Sequence, residues 1–194
     1  MKKVYNKILD KAIPYYEGGR SYDIPQIGWM LKEARKILKK INLREGLIFP
    51  IIILHDIGYS AVDEKNPNVK EIGTKKIHME EGAKIAEQIL RKLNYDKEFV
   101  EKIVYYISVH DNWVLGDDEP FKECKEMALF NDLDFLVGIR SKEMFDLRAE
   151  SMEIAPSEMF NSLLKEEKLK RRPFCCKETK ELFSQLMGDR KKEL

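Results

Sequence analysis

The chain contains three histidines, His55, His78 and His110, and each sits where an imidazole could do chemistry. His55 is followed at once by Asp56, at the end of the apolar run Leu47 to Leu54. An imidazole nitrogen and a carboxylate oxygen together suit Zn, Fe, Mn, Co or Ni. A carboxylate behind so many apolar residues is costly unless it is paired or bound to metal. Consecutive helical residues diverge by about 100°, so the doublet converges on one point only where its helix is ending. His78 falls in the first turn of a helix, three residues before Glu81 and four before Gly82. His110 completes the apolar stripe Ile103-Ile107-His110, where an unpaired imidazole would be expensive. Asn131-Asp132-Leu133-Asp134 adds two carboxylates. Asp134 lies on the stripe Met127-Asn131-Asp134-Gly138, and Asp132 points about 200° away, so the two should have different roles. Taken singly, each histidine also reads as a satisfied core residue and each aspartate as a surface charge.

The elements that must position these residues are helical almost throughout. In 24–41, Ile27, Met30, Leu31, Ala34, Ile37, Leu38 and Ile41 form one buried face. Asp23 stands at its N-cap, and Pro25 lies in its first turn. Leu47-Ile-Phe-Pro-Ile-Ile-Ile-Leu54 is rich in β-branched residues, but Pro50 opposes a central strand and no comparable run offers a partner. It reads as a helix buried on all sides, with Pro50 in its first turn and Gly58 at its stop. Residues 59–74 form a polar loop, long enough for a lid or binding loop. Further helices are expected at 75–93, 97–110, 120–139, 141–151, 156–170 and 177–188, the last after the break at Arg171-Arg172-Pro173. The fold class is all-α, and 1–194 reads as a single domain. The motif-bearing core is about 20–140, and the helices of 141–194 pack on it.

Composition narrows the function. With 194 residues, 35 Lys+Arg and 34 Asp+Glu, the net charge of +1 argues against a nucleic-acid or anionic-membrane partner. The longest apolar run is far too short to span a bilayer, and the N-terminus lacks the apolar stretch of a signal peptide. A cytoplasmic protein is expected. Cys124, Cys175 and Cys176 are odd in number and lack zinc-site spacing, so they read as free thiols.

Four elements in this order resemble the HD-domain metal-dependent phosphohydrolases. They are Leu54-His55-Asp56-Ile57-Gly58, His78-Met-Glu-Glu-Gly82-Ala83, Ile107-Ser-Val-His110-Asp111, and the late Asp134 in Asp132-Leu133-Asp134-Phe135-Leu136. The middle two are similar to the subset with additional histidines. The resemblance spans about 20–140 and implies a helical bundle holding one or two of Fe, Mn, Zn, Co or Ni, with Mg also compatible. It implies metal ligands at His55, Asp56 and Asp134, with His78 and His110 either holding a second ion bridged by Asp56 or acting as general acids. One position departs: the family's first histidine should stand 29 residues before the doublet, where this chain has Gln26, a weaker ligand. The expected activity is hydrolysis of a nucleotide or other small phosphate ester by metal-activated water, with His78, His110 and Asp56 in catalytic roles. Lys75 and Lys76, at a helix N-terminus, are candidate phosphate contacts. Asp111 and Trp113 are candidate pocket residues, the Trp by stacking on a base. Gln26 keeps open a catalytically weakened nucleotide-binding module, and the fold also hosts di-iron oxygenases. An apolar face left over in 156–188 would permit a homodimer.

Overall fold

The computed structural model describes residues 2–62 and 72–194, which form an all-α structure without a strand among them. The expected loop at 59–74 lies largely outside the described residues. Its ends belong to a 3-10 turn at Ile57–Ala61 and to a helix that begins at Ile72. In chain order the helices are α1 (Lys3–Glu17), α2 (Ile24–Leu38), α3 (Glu45–Leu54), α4 (Ile72–Lys92) and α5 (Lys97–Val109). They continue as α6 (Glu119–Glu123), α7 (Lys125–Val137), α8 (Lys142–Ser151), α9 (Pro156–Leu164), α10 (Lys168–Arg171) and α11 (Lys177–Glu193).

The centre of the bundle is α3. Every residue from Leu47 to Leu54 is buried, and α3 packs against α1, α2, α5 and α7. Each fully buried aliphatic side chain here contributes about 1.5–3 kcal/mol of transfer free energy before ordering costs. The helix starts at Glu45, earlier than expected, so Pro50 lies in its interior rather than its first turn. Proline there leaves the carbonyl four residues back without its helical donor. That carbonyl, Gly46 O, accepts a hydrogen bond from the Tyr95 hydroxyl at 2.7 Å. At the other end, Ile53 O accepts from the buried Tyr16 hydroxyl at 2.9 Å. Tyr16 belongs to α1, a helix the periodicity reading passed over, whose Tyr5, Ile8, Ala12 and Tyr16 face the core.

Other expectations are corrected by tertiary contacts. Gly58 is not the stop of α3, which ends at Leu54, but lies in the 3-10 turn pressed on α4. A Cβ at Gly58 would come within 1.9 Å of His78 O and 2.4 Å of Gly82 N. The segment 120–139 is not one helix: Cys124 is extended between α6 and α7, and the buried Glu126 ties the start of α7 to Arg44. The segment 156–170 likewise divides into α9 and α10, with Lys168 turned inward onto Asp132. A second apolar cluster joins the end of α7 to α8, α9 and α11 through Leu136, Phe145, Met159 and Leu186. Trp29 and Leu182 pack against both clusters.

Candidate metal centre

The C-termini of α3 and α5 and the interior of α4 meet at Asp56. His55 is the C-cap of α3, and Asp56 follows it as the chain turns into the 3-10 segment. His78 projects from α4, and His110 caps the C-terminus of α5. The close approach of Gly58 to α4 at His78 and Gly82 brings the doublet and the second histidine together.

Each histidine ring is fixed in the same way. Nδ1 of His55 lies 3.0 Å from Ile52 O, Nδ1 of His78 3.3 Å from Thr74 O, and Nδ1 of His110 2.7 Å from Ile107 O. A carbonyl can only accept, so each Nδ1 carries the proton and each Nε2 is left with a lone pair. These lone pairs converge. Nε2 of His78 and Nε2 of His110 are 3.1 Å apart, and they lie 3.5 and 3.3 Å from Asp56 Oδ1. Asp56, His78 and His110 present ligand atoms all within 4.8 Å of one another. Facing acceptors of this kind, buried together, call for a cation, and neutral imidazoles with a carboxylate form a donor set for a divalent transition metal.

The second oxygen of Asp56 faces elsewhere. Oδ2 lies 3.6 Å from His55 Nε2, which is 3.9 Å from Asp134 Oδ1. The expected ligands thus fall on the two sides of Asp56. Of the two late aspartates, Asp134 is the one at this centre. Asp132 instead accepts from Lys168 Nζ at 2.5 Å, Cys175 N at 2.8 Å and Thr179 Oγ1 at 2.7 Å.

The electrostatics follow the packing. Burial would raise the Asp56 carboxyl, but His55, Arg20, His110 and His78 outweigh it and hold it well below the usual range. Burial and the neighbouring His110 push His78 down to about 4. Burial lowers His110, but the neighbouring carboxylates of Asp56 and Asp111 outweigh it and raise it. Loss of water raises Asp134, helped by Asp56 and Asp111 against His55.

The remaining candidates divide. Asp111 is buried 3.5 Å from His78 Nε2; it accepts from Lys75 Nζ and, at 3.1 Å, from Trp113 Nε1. Lys75 is therefore committed to Asp111, while Lys76 is exposed. Arg172 lies over the Trp113 ring, 4.9 Å from its centroid, on a surface expected to stack on a base. Gln26 Nε2 donates to Asp23 Oδ1 at 3.0 Å and to Tyr22 O at 3.3 Å, so its amide is bonded to Asp23 rather than presented as a ligand. Asp23 occupies the N-cap of α2 without capping it, because its carboxylate is taken by Gln26 and Arg20. Burial and repulsion from Asp56 push that carboxyl up to about 8, against the pull of Arg20.

Arg20 and Tyr59 are site residues that the sequence reading missed. Arg20 Nη1 is 3.6 Å from Asp56 Oδ2, and Tyr59 stacks on His78 with centroids 4.2 Å apart. The available signal was the spacing Arg20, Asp23, Gln26 on one helical face, and Tyr59 directly after the Asp56-Ile-Gly turn.

Comparison with known families returns one match, the HD domain, over residues 29–135. The match covers more than half of the chain and begins three residues after Gln26, so it includes the His55-Asp56 doublet and Asp134 but neither Arg20 nor Asp23. Searches of curated proteins and of solved structures found no match. With the HD doublet buried at the centre of an all-α bundle and its aspartate facing two imidazoles, the chain belongs to the HD-domain family of metal-dependent phosphohydrolases.

Proposed function

We propose that the protein hydrolyses a small phosphate ester, with a nucleotide as the favoured class of substrate, using a divalent metal ion held by Asp56, His78 and His110. The observation that carries this reading is the pair of facing Nε2 lone pairs at Asp56 Oδ1, fixed by two Nδ1–carbonyl hydrogen bonds. An ion bound there would lower the pKa of a coordinated water and polarise a phosphoryl oxygen.

The chain's own groups have separate tasks. The backbone carbonyls hold the imidazoles in the ligating tautomer, which raises their basicity and limits reorganisation. Asp111, itself fixed by Lys75 and Trp113, lies 3.5 Å from His78 Nε2 and adds negative charge beside the ion's site. His55 and Asp134, 3.9 Å apart on the other side of Asp56, can orient a water or a substrate oxygen. Lys75 and Arg20 place positive charge on two sides of the centre, as an anionic substrate requires.

The test is elemental analysis of the purified protein together with hydrolysis of a panel of nucleotides and simple phosphate monoesters. The expected result is bound transition metal and turnover that is abolished by chelation and by Asp56→Asn. Turnover that survives both would refute the reading. Nucleotide binding without turnover under any of several metals would point instead to a regulatory module, which the commitment of Gln26 to Asp23 favours as the second reading.

A further inference from the structure

The two sides of Asp56 are built differently. On the Oδ1 side are the Nε2 atoms of His78 and His110. On the Oδ2 side a guanidinium is already in place. Arg20 Nη1 lies 3.6 Å from Oδ2, beside the 3.6 Å approach of His55 Nε2. That guanidinium donates one hydrogen bond, from Nη2 to Asp23 Oδ1, and its other contacts are ion pairs and ring faces. Its Nη2 and Nε each lie 3.1 Å from an oxygen of Asp23, and its faces meet the rings of Tyr59 at 4.2 Å and Tyr22 at 4.8 Å.

Gln26 adds a second departure on the same side. Where an imidazole would present a lone pair, its amide turns a donor toward Asp23. A transition ion beside Oδ2 would therefore lack one nitrogen ligand and face a fixed cation. Beside Arg20, the Tyr59 hydroxyl is buried and has no hydrogen-bond partner among the described residues. A buried hydroxyl without a partner is costly unless a ligand supplies one.

We propose that this centre takes one divalent ion, at Asp56, His78 and His110, and that Arg20 provides the second positive charge, on the Oδ2 side, receiving a phosphoryl oxygen together with the Tyr59 hydroxyl. The inference rests on the phosphohydrolase reading and deepens it: the guanidinium takes up the Oδ2 side of Asp56 that a second ion bridged by this carboxylate would need. A guanidinium fork matches phosphoryl oxygens geometrically and needs no loading.

The experiment is titration with Mn²⁺ by calorimetry, checked by elemental analysis, followed by binding of inorganic phosphate to the Mn²⁺-loaded protein. The wild type should bind one Mn²⁺ per chain. The double variant Arg20→Gln/Gln26→His, which removes the cation and restores an imidazole, should bind two. Arg20→Gln alone should weaken phosphate binding about tenfold or more, the scale of a lost charged hydrogen bond. Two ions per wild-type chain, or an unchanged phosphate affinity in Arg20→Gln, would overturn the inference, and the wild-type count decides even if the double variant does not fold. Two ions with intact phosphate-ester hydrolysis would refute the single-ion site and leave the hydrolase reading standing. One ion with Arg20-dependent phosphate binding but no hydrolysis would do the reverse.

Discussion

Asp56 divides its two oxygens between different partners, and that division makes it the residue on which the site turns. Oδ1 faces His78 and His110, and Oδ2 faces His55 and Arg20. Asp56→Asn keeps the shape and removes the charge. In the wild type, divalent metal at about 100 times its Kd should add about 2.7 kcal/mol of stability. For a chain of this size that is a rise in Tm of roughly 5–10 °C. The increment should vanish in Asp56→Asn, measured as melting temperature with and without added Mn²⁺; an undiminished increment would place the ion elsewhere. A different carboxylate supplies the pH test. Burial opposes ionisation of Glu126, but the Arg44 side chain and backbone N–H hold it down to about 2, from an ordinary value of 4.5. A depressed carboxyl contributes stability that is present above 4.5 and is lost as pH falls toward 2. Glu126→Gln should therefore flatten the decline in melting temperature between about pH 4.5 and 2, whereas an unchanged slope would exclude this pair as its source.

At the scale of elements, the motif residues were legible because their chemistry is local, and their supports were not. The end of α3 at the doublet and the apolar stripe leading to His110 are periodicity statements, whereas His78, expected in a first turn, lies deeper in α4, which begins at Ile72; the structure places all three rings around Asp56. Glycine at position 58 reads locally as a helix stop, but its reason lies in α4, where His78 O and Gly82 N leave no room for a Cβ. Gly58→Ala should force the turn and α4 apart and cost about 1–3 kcal/mol. It should also weaken metal binding, because it moves Asp56 away from His78. Loss of stability with unaltered metal affinity would separate the two effects and refute this coupling. Pro50 carries a similar lesson. It forbids a central strand, yet sits inside a helix because Tyr95 donates to the carbonyl that proline deprives, that of Gly46, 49 residues earlier in the chain. Tyr95→Phe should cost about 1 kcal/mol, the loss of a hydrogen bond to a half-buried acceptor, in chemical denaturation; a neutral change would show that water replaces the hydroxyl.

Across the whole molecule, the two aspartates of Asp132-Leu133-Asp134 divide function from assembly. Their roughly 200° separation on α7 follows from the sequence, but which one serves the metal centre is a tertiary fact. Asp134 comes within 3.9 Å of His55. Asp132 gathers Lys168 of α10, the backbone of Cys175 and Thr179 of α11, partners 36, 43 and 47 residues later. No local spacing announces them. Lys168 is buried between the rings of Phe135 and Phe174. Removing its counter-ion would strand a buried charge, a loss of about 3–5 kcal/mol. Asp132→Ala should therefore loosen the C-terminal helices from α7 and lower stability by that amount, measured by chemical denaturation. The same substitution should leave the metal affinity of the remaining folded protein close to wild type. Asp134→Asn should show the opposite pattern: a nearly unchanged denaturation midpoint with reduced turnover, since it is half-buried beside His55 and ties no distant segment. If Asp132→Ala were stable and inactive while Asp134→Asn unfolded, the assignment of the two carboxylates would have to be exchanged.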